Sequence, residues 1–245
     1  MKTLLVIGYG KMAKAICESL KGNFQIQVCG RDAKKIEKFC LQIQATPLHT
    51  PKEITIDNQE VLLCIKPYAL NNFQFIGKAK CLYSILNATS IETLQKTIKA
   101  KHYIRAMPNI CASIGKSITS LCGDESYKNK AFEIFDSIGN CIWLEETLFP
   151  IATALSGCSP AFLALVAESM IDSGVANGLT REQASQIVKA LFDGFGALLQ
   201  TQHPTFLKEN VMSPGGSTAQ GVMSLEKNAL RNTFFEAIMA SKNFA

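Results

Sequence analysis

What the sequence lacks narrows it first. Its nine cysteines include no CxxC pair, and an odd number set mostly in apolar runs such as Leu62-Leu63-Cys64-Ile65 reads as reduced, buried thiols. That excludes a disulfide scaffold and points to a reducing, cytoplasmic compartment. The three histidines, His49, His102 and His203, stand far apart without metal-ligand spacing, so no zinc site is expected. There is no linker, internal repeat or low-complexity tract. The opening apolar run, MKTLLVIGYG, is too short for a signal peptide and has no small-residue cleavage site. The apolar stretch 161–167 meets Glu168 well before the ~18–20 residues of a bilayer span, so no membrane partner is expected.

What is present supports a folded chain with a small ligand. At 47% hydrophobic and 18% charged, the composition excludes disorder. A length of 245 residues allows one large domain or two ordinary ones. Residues 1–150 carry 19 Lys/Arg against 13 Asp/Glu, whereas residues 151–245 carry 6 against 7. The surplus is spread rather than striped, which disfavours nucleic acid and suits a small anion.

Residues 1–150 alternate between β-branched runs and amphipathic stretches. Strands are expected at 4–7, 26–29, 61–65, 82–86, 103–106, 117–121 and 141–144, and helices at 12–20, 33–41, 91–98 and 127–137. Gly22 falls just past the first helix, where a C-terminal cap belongs. Nearly continuous apolar strands alternating with helices predict a parallel sheet covered on both faces. After Pro150 the strands vanish, and helices are expected at 160–173, 181–201, 205–211, 218–228 and 230–242. The 160–175 segment is apolar nearly all round its first two turns, and about 95 residues give it few partners within one chain. A helical domain completing its core against a second copy is the economical solution. The expected architecture is α/β: a Rossmann-type dinucleotide-binding domain at 1–150, then an all-α dimerisation domain at 151–245.

The segment Leu5-Val6-Ile7-Gly8-Tyr9-Gly10-Lys11-Met12-Ala13 runs a strand through G-x-G-x-x-A into a helix. Gly8 permits the tight turn, Gly10 lets the backbone approach a pyrophosphate, and Ala13 allows close helix–strand packing. The helix N-terminus then offers free N–H groups and partial positive charge to phosphate. The second strand ends in Cys29-Gly30-Arg31-Asp32, where a binder of NAD places an acid for the ribose 2′-hydroxyl. Arg31 at that point suits a 2′-phosphate, so NADPH is the expected cofactor, with NADH as the alternative. Asp32, one residue late, is placed to cap the next helix with Lys35 at its third position.

A second site candidate is Ser213-Pro214-Gly215-Gly216-Ser217-Thr218-Ala219-Gln220. Its glycines free the backbone to curl, and the loop opens into a helix, giving an array of N–H and O–H donors suited to a carboxylate. Ser217 and Gln220 are also spaced as a capping box, which would make Ser217 a structural N-cap. The Thr218 hydroxyl can hydrogen-bond a nitrogen but is a poor general acid at neutral pH.

The order of IGYGKMAKAI (7–16), CIKP (64–67), RAMPN (105–109), TALSGCSPAF (153–162), ESMIDSGVANGL (168–179), HPTFLKENVMSPGGST (203–218) and GVMSLEKNALR (221–231) resembles the pyrroline-5-carboxylate reductase family. The resemblance spans nearly the whole chain and implies hydride transfer from NAD(P)H to the C=N carbon of 1-pyrroline-5-carboxylate, giving L-proline. It further implies a homodimer or higher oligomer built through the helical domain. It puts Ile7, Gly8, Tyr9, Gly10, Lys11, Met12, Arg31, Ile65, Lys66, Pro67, Ala88 and Asn210 at the dinucleotide. The substrate falls to Gly215, Gly216, Ser217, Thr218 and Glu146, with Thr218 as the catalytic residue at the ring nitrogen.

Two positions depart from the family pattern. Ser159 stands where a glycine is usual, and Asn87-Ala88 replaces an Ala-Gly pair. If the glycine that Ser159 replaces has φ > 0, serine costs of order 1 kcal/mol there. At position 88 the expectation is different: the added Cβ would crowd the nicotinamide ring or alter cofactor affinity. Two other readings stay open. A β-hydroxyacid dehydrogenase would share the layout, but Lys189 is followed by Asp193 where that family resembles Lys-x-x-x-Asn. A catalytically silent NADPH-binding protein is the other.

Overall fold

The protein, described from a computed structural model, is defined over residues 2–48 and 53–244; His49 lies outside the described residues. The N-terminal part runs β1 (Lys2–Ile7), α1 (Lys11–Ser19), β2 (Phe24–Cys29), α2 (Ala33–Ile43), β3 (Thr46–Leu48), β4 (Glu53–Thr55), β5 (Glu60–Leu63), β6 (Gln74–Ile76) and β7 (Ala79–Ser84). It continues through α3 (Ile91–Thr97), β8 (Ala100–Met107), β9 (Ser117–Gly123), α4 (Lys128–Phe135), β10 (Gly139–Trp143) and α5 (Phe149–Thr153). Every strand and helix expected here forms. The additional β3, β4 and β6 are three residues each, too short to show periodicity. Pro47 in β3 is tolerated because β3 is an edge strand.

Eight strands make one sheet in the order β10-β9-β8-β7-β5-β1-β2-β3. β1 sits between β2 and β5, with Leu5 opposite Gln27 on one side and Val61 on the other. Adjacent residues of β1 are buried in opposite directions. Leu4 and Val6 pack with Ile16 of α1, Phe39 of α2 and Phe135 of α4, while Leu5 and Ile7 pack with Leu94 of α3 and Leu70. Both faces are therefore covered, which is why the strand reads as a continuous apolar run.

The expectation of a wholly parallel sheet needs one correction: β8 and β9 pair antiparallel, with Arg105 opposite Cys122. The nine residues between them hold only a short 3₁₀ turn, Ile110–Ile114. A parallel return needs a crossover of a dozen residues or more, so the chain doubles back.

By spatial contacts the chain divides into Met1–Gly157 with Ser241–Ala245, and Cys158–Ala240. The second unit contains α6 (Ser159–Ala176), α7 (Arg181–Leu198), α8 (Pro204–Asn210), α9 (Ser217–Lys227) and most of α10 (Leu230–Lys242). Thr180 opens α7 with a full capping box: its hydroxyl accepts from Gln183 N and the Gln183 side chain accepts from Thr180 N. Among the described residues of this unit only Ala184 and Val188 are buried. Leu165, Leu191 and Phe235 are 66%, 50% and 66% exposed. Five helices thus present apolar faces that nothing within the unit covers.

Ser159 is the first residue of α6 and does not take a positive φ, so this departure carries no left-handed strain. A π turn, Ala154–Cys158, precedes it. Because that turn and α5 extend the apolar segment upstream, the run Glu146–Ala176 reaches 31 residues with a mean hydropathy of 1.6 over its best window. By length and composition alone that run is long and apolar enough to cross a bilayer, longer than residues 161–167 suggest, although it carries Glu168 and Asp172.

Candidate functional site

The first site grows out of the β1–α1 turn. Gly8 N donates to Cys29 O at 2.9 Å and Cys64 N donates to Ile7 O at 2.8 Å, drawing the ends of β2 and β5 against the turn. The backbone of Gly8 takes φ +120°, and a Cβ there would lie 2.4 Å from the Cys64 carbonyl oxygen. Gly10 is different. It is the N-cap of α1 with φ −83° and makes no side-chain cap bond, and a Cβ there would meet nothing within 4 Å. The first N–H groups of α1 therefore open onto free space, where the helix dipole favours an anion.

That space is a cleft of about 710 Å³ at the C-terminal ends of β1, β2 and β5, where ligands of open α/β sheets bind. It is lined by Gly8, Tyr9, Gly10, Lys11 and Met12 from the first turn, by Arg31, and by Ile65, Lys66 and Pro67 beyond β5. Nine of the expected cofactor residues thus meet at one site. Ile7 is a correction: its side chain is fully buried in the core and does not line the cleft. Ala88 does not line it either; its neighbour Asn87 does. Asn210 belongs to the helical unit, at the end of α8, where its side chain donates to Gln202 Oε1 at 3.4 Å.

The structure also adds cleft residues that the sequence reading did not select. Gly30 is one, because a Cβ there would sit 2.6 Å from the Tyr9 ring. Tyr68 is another, 78% exposed at the wall of the cleft. Its signal was an aromatic directly after the Lys66-Pro67 strand end.

The electrostatics of the cleft turn on the pair after β2. Asp32 accepts from Lys35 N at 3.1 Å, and its carboxylate lies 3.4 Å from Lys35 Nζ. These contacts, the backbone N–H first, hold the Asp32 carboxyl below its ordinary range. Its acid is committed to the cap of α2, as the spacing predicted. Arg31 is exposed, and among the described residues neither it nor Lys66 makes an ion pair. The cleft therefore combines a helix N-terminus with uncompensated cations and fits an anionic dinucleotide.

The second candidate, in the helical unit, is the loop before α9. Gly216 N donates to Ser213 O at 3.0 Å, closing a turn in which Gly215 takes φ +71°. A Cβ at Gly216 would lie 2.4 Å from Ser213 Oγ. The expected Ser217 cap is corrected here: Gly216 is the N-cap, extended at ψ 170°, and no side chain caps α9. The helix begins one residue earlier than the capping box requires, so Ser217 and Thr218 stand in its first turn with exposed hydroxyls. Amides and hydroxyls at that end are donors suited to a carboxylate.

Glu146 lies in the first unit, already engaged. Its Oε1 accepts from Arg105 Nη1 at 2.8 Å and from Ile91 N at 2.9 Å. No group of three or more His, Cys, Asp or Glu side chains among the described residues is placed to hold a metal.

Comparison with known proteins places these sites in context. Residues 146–245 match the family model described as pyrroline-5-carboxylate reductase dimerisation, and residues 3–78 match the one described as NADP oxidoreductase, coenzyme F420-dependent. A pyrroline-5-carboxylate reductase of Helicobacter pylori strain J99 is 36% identical over 247 residues, covering 97% of this chain and 96% of the relative. The crystal structure of 1-pyrroline-5-carboxylate reductase from Streptococcus pyogenes superposes with a TM-score of 0.86 at 26% identity, over 98% of this chain and 96% of that one. The Plasmodium falciparum pyrroline carboxylate reductase with NADP bound gives a TM-score of 0.80 at 26% identity, over 99% and 96% of the two chains. With a relative 36% identical over nearly the full length of both chains, and the dimerisation model matched over residues 146–245, the chain belongs to the pyrroline-5-carboxylate reductase family.

Proposed function

We infer that this chain is a nicotinamide-dependent oxidoreductase that reduces the C=N bond of 1-pyrroline-5-carboxylate to give L-proline, the closing step of proline synthesis. The observation that carries the reading is the cleft at the β1–α1 turn, where a bare helix N-terminus faces open space beside Arg31, which makes no ion pair among the described residues. A reduced nicotinamide, when bound, supplies the hydride. The residues of the chain do the rest. Gly10 and the first amides of α1 receive the pyrophosphate, with Lys11 and Lys66 adding charge at the rim. Arg31 reads the 2′-phosphate, which favours NADPH over NADH, since Asp32 is not available to a ribose hydroxyl. A cyclic imine is basic enough to bind as its iminium, so no metal and no strong protein acid are required. The amides of Gly215, Gly216 and Ser217 hold the substrate carboxylate, and the Thr218 hydroxyl positions the ring nitrogen. Asn210, at the end of α8, is assigned to the dinucleotide.

We further propose that the protein works as a cytoplasmic homodimer or higher oligomer joined through its helical unit. The helical unit leaves large apolar side chains uncovered on all five helices: Leu165, Phe195, Phe206, Met223 and Phe235 are 66%, 46%, 61%, 64% and 66% exposed. Such faces are covered more economically by a second copy than by a bilayer, because the helices also carry Asp172, Arg181 and Asp193. All nine cysteines are free thiols, as a reducing compartment requires.

The test is direct. Purified protein is expected to oxidise NADPH when given pyrroline-5-carboxylate, and Thr218→Ala to slow turnover. Clean NADPH binding with no turnover of that imine would sink the reductase reading in favour of a silent binding protein. Arg31→Asp should weaken NADPH far more than NADH; equal loss would mean that Arg31 does not read the 2′-phosphate.

A further inference from the structure

Glu146 and Arg105 are 41 residues apart in sequence, yet they form a pair that the reaction as described does not use. The Arg105 side chain is 9% exposed and lies at the end of β8. It donates to Glu146 at 2.8 Å on one side and stacks over the Phe149 ring at 4.7 Å on the other. The same carboxylate oxygen accepts from Ile91 N at 2.9 Å, the first amide of α3. Directly before α3, the cleft-lining Asn87 is followed by Ala88, a residue other than glycine held in the left-handed region at φ +50°. Around it, Thr89 Oγ1 donates to Asn87 O at 3.0 Å and Ser90 Oγ accepts from Thr93 N at 3.1 Å. Alanine resists this conformation, so something outside the turn must hold it.

We propose that Arg105 and Glu146 are positioning residues that clamp the start of α3 and thereby hold the strained Asn87–Ala88 turn in place at the dinucleotide cleft. Glu146 thus acts on the cofactor through the turn and does not bind the imine. The inference rests on the dinucleotide reading of the cleft given above. Glycine adopts positive φ without steric cost, so a glycine at position 88 would need the clamp less.

That dependence supplies the test. NADPH binding is measured by fluorescence titration, and the imine KM is measured at saturating NADPH, for wild type, Glu146→Ala and Glu146→Ala/Ala88→Gly. Glu146→Ala, which removes the acceptor shared by Ile91 N and Arg105, is expected to raise the NADPH Kd about tenfold while leaving the imine KM within about twofold, and the added Ala88→Gly to recover most of the lost affinity. An unchanged Kd with a raised imine KM would overturn the proposal by putting Glu146 at the substrate. Absence of rescue by Ala88→Gly would also overturn it. If Glu146→Ala leaves Arg105 too poorly compensated to fold, Arg105→Met/Glu146→Ala removes both charges together. It should show the same loss of NADPH affinity, and wild-type affinity in that variant would refute the clamp. A wild-type protein that binds no NADPH would instead overturn the reading of the cleft itself, and the clamp with it.

Discussion

Gly8 and Gly10 stand two residues apart in one turn, yet the structure gives them separable roles. At Gly8 an alanine Cβ would lie 2.4 Å from the Cys64 carbonyl oxygen and 2.7 Å from its carbon. Ordinary contact begins near 3.4 Å, so the end of β5 would have to move by about 1 Å. That backbone is held by Cys64 N donating to Ile7 O and by pairing on both sides of β5. Overpacking of this kind costs about 1–3 kcal/mol, and a non-glycine residue forced to φ +120° adds about 1–3 more. Gly8→Ala should therefore lose roughly 2–6 kcal/mol, a large part of a total that is typically 5–15. At Gly10 nothing lies within 4 Å and φ is ordinary, so only the poorer N-cap quality of alanine counts, at most about 1 kcal/mol. Its Cβ would instead occupy the space assigned to the pyrophosphate. Denaturant unfolding and NADPH titration on both variants separate the two effects. Gly8→Ala should unfold at clearly lower urea, while Gly10→Ala should keep near-wild-type stability and bind NADPH at least about tenfold more weakly, the equivalent of 1.4 kcal/mol. Wild-type NADPH affinity in Gly10→Ala would refute the assignment of that space, and wild-type stability in Gly8→Ala would refute the packing argument.

Other outcomes follow from particular residues. Ala88→Gly relieves about 1–2 kcal/mol of left-handed strain and gives back about 0.4–1 to unfolded-chain entropy, so a net gain near 0.5–1 kcal/mol should appear as a higher Tm. The Asp124 carboxyl is held below its usual range by the Ser126 hydroxyl and by His102 Nδ1. Its stabilisation is thus complete above the unfolded carboxyl range near ~3.9 and is lost as pH falls through the lower folded value. Asp124→Asn should lower Tm by about 2–4 °C at pH 7 and have little effect in strong acid, as thermal melts across pH will show. Burial pushes the thiols of Cys17, Cys81 and Cys122 up to about 12 and that of Cys40 to about 11. Native protein at pH 8 should leave these four unlabelled by a thiol reagent until denaturant is added.

The residues legible in the sequence are those whose role is set by near neighbours. The Gly8–Ala13 turn, the Asp32 cap and the helices of the second half obey rules that reach three or four positions along the chain. The Ser217 cap failed at the same range, because the extended Gly216 starts α9 one residue early. Gly30 carried no periodic or spacing signal of its own, and Tyr68 only its place as an aromatic just after Lys66-Pro67. They join the cleft because the parallel order of β2, β1 and β5 brings their strand ends together.

By itself, then, the sequence determined the longer strands and helices, a sheet covered on both faces and a phosphate-binding turn, since apolar period and local steric freedom act along the chain. Only the tertiary structure decided that β9 runs against β8, that Asn87 rather than Ala88 meets the cleft, and that Glu146 is bound to Arg105. It also decided that, of the scattered positive charge of the first half, Arg31 and Lys66 meet at one cleft without an ion pair among the described residues. Those outcomes depend on which distant strand ends become neighbours, and that is fixed by how the whole sheet closes over its core.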